Sequence, residues 1–191
     1  MICLFSIQTW AQSGKLFNTD NQLSSNLATQ VFQDKSGFIW IATRNGLNNY
    51  DGYHINVIKK DMSNFLGLNS NYINSIAQDE KEHILLGTNN SLLEFTGSEF
   101  LKIPMLDSKG KELATYVKQV YPLKNKDVAV ATSGYGIMLK KQDEQKCHAM
   151  KGEVEKLKYI LKLLEDKRGR LWIITEDGKL YRKETNGRVT S

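Results

Sequence analysis

Four stretches of this sequence are copies of one another: VFQDKSGFIWIATRNGL from Val31, IAQDEKEHILLGTNNSL from Ile76, VYPLKNKDVAVATSGYG from Val120 and LLEDKRGRLWIITEDGK from Leu163. Each places apolar residues ahead of a polar turn, then an apolar run closing on Thr, then a second turn rich in Gly, Asn, Ser or Asp. The closing residues Thr43, Thr88, Thr132 and Thr175 are 45, 44 and 43 residues apart. A constant offset of 45 carries Asp34 onto Asp79, Ile39 onto Ile84, Leu47 onto Leu92, Tyr50 onto Phe95 and Gly52 onto Gly97. The fourth copy returns Asp166, Gly169, Trp172 and Gly178 where the first has Asp34, Gly37, Trp40 and Gly46; the third lacks the Asp and the Trp but keeps the VAVAT run. A period of this length restricts the chain to stacked supersecondary units.

Within a copy the segments are short and β-branched or aromatic. In the first, residues 28–34, 38–43, 46–51 and 54–59 each suit a strand, with Lys-Ser-Gly, Arg-Asn-Gly and Asp-Gly-Tyr as reversals. Four strands per unit is the signature of a β-propeller blade, so the chain reads as all-β, with about four four-stranded antiparallel repeats over residues 24–68, 69–112, 113–156 and 157–191. A single blade cannot shield its apolar faces. Stacking buries Ile39, Ile41, Ile84, Leu86, Val128, Val130, Leu171 and Ile173 between neighbours, each worth about 1.5–3 kcal/mol when fully buried. One stretch competes: EVEKLKYILKLLE from Glu153 has near-helical apolar spacing. The repeat requires its innermost strand there, so Tyr159 to Leu164 is assigned as strand. Asp34 and Asp79, being repeat-equivalent, are read as acceptors for the backbone N–H groups of their own turns. Trp40 and Trp172 fall mid-strand and are read as blade-packing aromatics.

Charge excludes one class of partner. The net +5 is confined to the C-terminal end: residues 1–139 hold 12 basic and 12 acidic side chains, residues 140–191 hold 14 and 9. The lysines of that end alternate with Asp143, Glu144, Glu153, Glu155 and Glu165, a solvated mixed surface, not the basic stripe of a nucleic-acid binder. Two cysteines, Cys3 and Cys147, without metal-ligand spacing argue against a disulfide framework or zinc site. Residues 1–11 read as the tail of a secretory signal with cleavage after Ala11, a first apolar strand being the competing reading. No segment approaches the roughly 20 apolar residues of a spanning helix, so the chain is expected not to insert in a membrane.

At NQLSSNLATQVFQDKSGFIWIATRNGLNNYDGYHINVI, residues 21–58, the sequence resembles the opening blade of the two-component regulator propeller family, the extracytoplasmic sensor of bacterial hybrid histidine kinases. The family pattern is met by Gln33, Asp34, Gly37, Ile39, Trp40, Ile41, Thr43, Gly46, Leu47, Tyr50, Asp51 and Gly52. It departs at Ala42, where the family has Gly, and in the second copy, which has Leu85 for the Trp. The resemblance implies a non-enzymatic, periplasmic, ligand-binding segment of a carbohydrate-responsive sensor whose parent is anchored in the inner membrane and signals to a kinase absent from this chain. Family sensors resemble paired seven-bladed propellers, so the resemblance implies that four copies are part of one, a truncated gene product or a closed four-bladed ring being the alternatives. The faces of an open arc are then closed by the remaining blades or by a second copy in a homodimer. A protein-interaction scaffold and a propeller lyase or hydrolase are the alternatives.

No phosphate-binding loop or nucleophile elbow is present, and His54, His83 and His148 sit in different copies. Neither a catalytic residue, a metal nor a cofactor is expected. Ligand binding is expected from residues that differ between copies and share one rim, the second-to-third-strand turns and the inter-blade loops. These are Arg44, Asn45, Asn69, Asn71, Tyr72, Asn89, Asn90, Tyr135, Glu176 and Asp177, whose amides, charges and aromatic faces suit a hydroxyl-rich oligosaccharide.

Overall fold

The computed structural model describes residues 14, 16–60 and 67–191; the leader assigned to residues 1–11 lies outside them. Each copy of the repeat is an antiparallel sheet. The first is β1 (Ala28–Gln33), β2 (Ile39–Thr43), β3 (Gly46–Tyr50) and β4 (Ile55–Ile58), and the second is β5 (Ile73–Gln78), β6 (Ile84–Thr88), β7 (Leu92–Phe95) and β8 (Phe100–Ile103). The third adds β9 (Met105–Leu106) and β10 (Glu112–Leu113) to β11 (Val117–Pro122), β12 (Val128–Thr132), β13 (Ile137–Lys140) and β14 (Cys147–Ala149). The fourth is β15 (Ile160–Glu165), β16 (Leu171–Thr175), β17 (Leu180–Lys183) and β18 (Val189–Thr190). The near-helical stretch resolves into a 3₁₀ turn at Glu153–Lys156 that buries Val154, followed by the expected strand.

Turn chemistry explains why the Asp and Trp recur. Asp34 Oδ1 accepts the Phe38 N–H (2.9 Å) and its Oδ2 accepts the Trp40 indole N–H (2.8 Å). Asp166 repeats this with Arg168 and Arg170 N–H and Trp172 Nε1 (2.9, 3.1 and 3.0 Å). One carboxylate thus closes the reversal and pins the aromatic of the next strand. In the second sheet Glu82 occupies the glycine position of the turn at φ +66°. The recurring Thr does the same at the opposite end, all four being buried: Thr43 and Thr132 donate to the carbonyls of Gly46 and Gly136, and Thr88 and Thr175 share their one hydroxyl hydrogen between the carbonyls of Ser91 and Lys179 and the side chains of Asn90 and Asp177.

Stacking puts the forward face of each sheet on the back face of the next. Trp40, Ala42 and Leu47 pack against Ile73, Ile76, Ile84 and Leu86; Ala77, Leu85 and Leu92 against Val117, Val120, Val128 and Val130; Ala129, Ala131 and Ile137 against Ile160, Leu163, Leu171 and Ile173. A bulge recurs in every innermost strand, at 28/30, 73/75, 117/119 and 160/162. It turns a side chain sideways to bond the neighbouring inner strand. Gln30 donates to the Ile76 carbonyl (2.8 Å) and accepts the Ile76 N–H (2.9 Å), Ser75 Oγ accepts the Val120 N–H (3.0 Å), and Gln119 accepts the Leu163 N–H (2.7 Å).

Three findings go beyond the sequence reading. The third sheet has six strands: the hairpin β9–β10 precedes the inner strand, and β9 pairs in parallel with β14, Met105 opposite Cys147. The hairpin straddles the boundary expected between the second and third copies, with Leu113 alone on the third-copy side. Secondly, the back face of the first sheet is only partly covered: Ile39 is half-buried and Val31 is 62% exposed, while Ile41, opposite Val31, is buried. Thirdly, the forward face of the fourth sheet is open. Ile174 and Leu180 are 39% and 50% exposed, whereas their counterparts Ala42 and Leu47, Gly87 and Leu92, and Ala131 and Ile137 are buried. Trp172 therefore lies half-buried under the guanidinium groups of Arg170 (5.8 Å) and Arg182 (5.5 Å), not in a core.

Candidate functional site

Up-and-down pairing brings the second-to-third-strand turns and the connections between sheets to one rim. Backbone bonds fasten the two together: Arg44 N–H to Leu27 O (3.1 Å), Ser133 N–H to Tyr116 O (3.0 Å) and Glu176 N–H to Tyr159 O (2.9 Å) hold each turn to the residue entering its own inner strand. Other bonds hold the turn to the following connection, including Gly46 N–H to Asn71 O (2.7 Å) and Gly136 N–H to Lys158 O (2.8 Å). Gly136 is required there, since at φ +75° any Cβ would lie 2.5 Å from the Leu157 carbonyl oxygen.

On this scaffold a row of side chains crosses all four sheets. The Arg44 guanidinium sits 5.6 Å from the Tyr72 ring centroid, and Tyr72 meets Tyr116 edge-on at 6.0 Å. Lys118 Nζ lies 4.3 Å from the Tyr116 ring and 3.4 Å from Glu176 Oε1. Asn74 braces the centre, accepting from the Tyr116 hydroxyl (2.8 Å) and donating to the Val117 carbonyl (3.0 Å). Burial, with the Tyr72 hydroxyl beside it, pushes Tyr116 up to about 12, so the row presents a neutral phenol at ordinary pH. Beyond Glu176 the row opens into a cleft of about 590 Å³ lined by Lys156, Lys158, Tyr159, Glu176, Asp177 and Tyr181. These are hydroxyl, ammonium and carboxylate groups beside exposed aromatic faces, a set that hydrogen-bonds and stacks.

Of the rim residues expected from sequence, Arg44, Tyr72 and Glu176 belong to this row. Four others spend their side chains on their own surroundings. Asn71 Oδ1 accepts the Lys60 N–H (2.7 Å), Asn89 Oδ1 accepts from Ser70 (2.8 Å), and Asn90 Oδ1 accepts from Thr88 (3.0 Å). Asp177 accepts from Thr175 (2.5 Å) and pairs with Lys179 (2.8 Å), Lys179 first and Thr175 second holding its carboxyl below the usual range. Asn69 likewise bonds Ser91, and Asn45 is an exposed turn residue. Tyr135 points into a separate 150 Å³ recess with Asp107, Met150 and Lys158. Sequence reasoning missed Tyr116, Lys118, Asn74 and Tyr159. A signal existed: Tyr72, Tyr116 and Tyr159 each immediately precede an inner strand, at offsets of 44 and 43.

Three segments, 22–45, 67–90 and 156–177, match the family model described as two component regulator propeller. They span the inner two strands of the first, second and fourth sheets; the third, which lacks the Asp and the Trp, is unmatched. No curated protein sequence matches the chain. Among solved structures the fold is similar to the extracellular domain of a putative hybrid two component system from B. thetaiotaomicron, with TM-score 0.73, 18% identity, and coverage of 87% of this chain and 25% of that one. It is similar to PorZ, a surface component of the type-IX secretion system of Porphyromonas gingivalis, with TM-score 0.62, 20% identity, and coverage of 82% and 26%. Virginiamycin B lyase from Staphylococcus aureus is also similar, with TM-score 0.63, 11% identity, and coverage of 85% and 54%. The chain thus spans about a quarter of the length of the sensor and secretion proteins it resembles.

Proposed function

We propose that this chain, a member of the two component regulator propeller family, is a non-enzymatic sensory segment that binds an oligosaccharide along the Arg44–Tyr72–Tyr116–Lys118–Glu176 row. The observation that carries the reading is the row itself, which joins side chains of four sheets through contacts of 3.4 to 6.0 Å. The tyrosines recur at one repeat position, held by Leu27, Tyr72, Tyr116 and Tyr159, whereas the position held by Thr29, Asn74, Lys118 and Leu161 differs in every copy. Tyrosines offer stacking area at low entropic cost, and the flanking charges orient hydroxyl groups. A ligand spanning several sheets has differential affinity for arrangements in which those sheets differ in disposition, and that difference is what can bias a kinase elsewhere in a longer sensor. Placement outside the cytoplasm, with the parent protein anchored in the inner membrane, belongs to the same reading. No helix among the described residues is long and apolar enough to cross a membrane.

The test is calorimetry of the intact protein against an oligosaccharide library, followed by Tyr72→Ala and Tyr116→Ala. A stacked aromatic contributes about 1–3 kcal/mol by analogy with base stacking, so each substitution is expected to weaken binding at least fivefold. The reading is overturned if no oligosaccharide binds, or if binding is unchanged in both variants. The open forward face of the fourth sheet is where the remaining blades, or a second copy, would continue the arc.

A further inference from the structure

We propose that Asp79, His83 and Glu94 form a binding site for a zinc-type divalent cation on the rim opposite the tyrosine row. The second copy departs from the repeat at this turn. In the first and fourth sheets the turn aspartate gives Oδ1 to backbone N–H groups and Oδ2 to an indole N–H. Asp79 uses Oδ1 in the same way, on Lys81 and His83 N–H (2.9 and 3.0 Å). Leu85, however, stands where Trp40 and Trp172 stand, so among the described residues no indole N–H donates to Oδ2 of Asp79, a side chain only 7% exposed.

What faces that oxygen is a donor set for a metal. His83 Nδ1 is 3.8 Å from Asp79 Oδ2 and 2.6 Å from Oε1 of Glu94, the β7 residue laddered to Leu85. The three ligand atoms lie within 4.8 Å of one another. Glu94 is 3% exposed and occupies a position held by Asn49, Leu139 and Arg182 in the other sheets, so this carboxylate is particular to the second sheet. One imidazole nitrogen and two carboxylate oxygens suit zinc, with ligand bonds of about 2.0–2.2 Å. Spacings of 2.6 to 4.8 Å are brought to the tetrahedral value by carboxylate shifts of about 1 Å. His83, its side chain 31% exposed, leaves the fourth position open to solvent. Lys140 Nζ, from the third sheet, lies 4.0 Å from Asp79 Oδ2. It offsets one of the two buried negative charges in the metal-free protein and competes with the cation. The 2.6 Å His83–Glu94 hydrogen bond must open for the imidazole nitrogen to face the cation.

The experiment titrates ZnCl₂ into the full chain after chelator treatment at pH ~7.5, by calorimetry and by nitrogen NMR of the histidine rings. One equivalent per chain is expected, with the His83 ring nitrogen shifted on binding. His83→Gln and Glu94→Gln are each expected to weaken zinc at least tenfold, and Lys140→Met to tighten it several-fold by removing the competing ammonium. The proposal is overturned by no uptake at millimolar zinc, or by an unshifted His83 resonance in the unsubstituted protein. It is equally overturned if uptake is undiminished in the His83 and Glu94 variants, which would assign the metal to the His54–Asp51 or His148–Glu144 pairs.

Discussion

Gly87 tests how tightly the sheets are stacked. It sits on the forward face of the second sheet, at the position of Ala42 and Ala131, and a methyl group built on it would lie 2.6 Å from Val117 Cγ1, 3.2 Å from Val117 Cβ and 3.3 Å from Val120 Cγ2. Both valines are buried, at 0% and 3% exposure, in the inner strand of the third sheet. Carbon atoms prefer about 3.5–4.0 Å, so the sheets must part locally by about 1 Å or Val117 must leave its rotamer. Overpacking of this kind costs about 1–3 kcal/mol. Ala in place of Gly returns about 0.5–1 kcal/mol through the lower entropy of the unfolded strand. Gly87→Ala is therefore expected to lose about 1–2 kcal/mol net, or roughly 2–8 °C in Tm for a chain of this size. Urea and thermal unfolding followed by circular dichroism measure it, and Val117→Ala supplies the control. Val117→Ala alone leaves a cavity and destabilises, but the double variant is expected to lose at least about 1 kcal/mol less than the sum of the singles. A Gly87→Ala protein as stable as the parent, or strictly additive losses, would show that the sheets are not in the contact described.

Gln30→Leu orphans the N–H and C=O of Ile76 together, a loss of about 1–3 kcal/mol in urea unfolding; a variant indistinguishable from the parent would deny that the side chain cements the first two sheets. Tyr116, raised from 10.0 to about 12, keeps its proton in the fold where the unfolded chain has lost it. Its contribution is complete below pH 10, declines as pH rises, and is gone above pH 12. The difference absorbance titration between parent and Tyr116→Phe should therefore midpoint near 12, and a midpoint near 10 would refute the packing of Tyr116 against Tyr72. Leu180→Lys and Ile137→Lys occupy the same position in successive sheets, the first 50% and the second 2% exposed. The former is expected to leave Tm nearly unchanged and to reduce self-association in light scattering, and the latter to unfold the protein. Equal effects would remove the case for an open forward face.

The stacked architecture was legible because the repeats announce their strands through the apolar run and, in the first, second and fourth copies, through a turn whose aspartate accepts its own backbone N–H groups. Asp34 and Asp166 sit in recognisable strings, and β1, β2 and β15 beside them begin and end within one residue of the expected bounds. The β9–β10 hairpin was hidden for the opposite reason: two-residue strands carry no periodicity. Yet its turn repeats the same chemistry, with Asp107 Oδ1 accepting the Lys109 and Lys111 N–H groups at 2.8 and 2.9 Å. At the rim, polarity identified turn residues without saying which way they point. Asn90 and Asp177 bond within their own turns, Asn71 and Asn89 bond Lys60 and Ser70 of neighbouring segments, and the row depends on Tyr116 and Lys118, which look like ordinary residues at the start of an inner strand. Repeat phase, more than residue type, carries that information. The tyrosines at 72, 116 and 159 recur with the period yet have no counterpart in the first copy, where Leu27 stands, and Leu85 breaks the period where Trp is expected. The two departures differ in setting: Leu27 is exposed at the end of the polar row, whereas Leu85 is packed in the core and removes the indole that would bond Asp79 Oδ2. In a protein whose stability is a sum of equivalent interfaces, residues that obey the repeat hold the fold, and functional chemistry is to be sought where the repeat lapses.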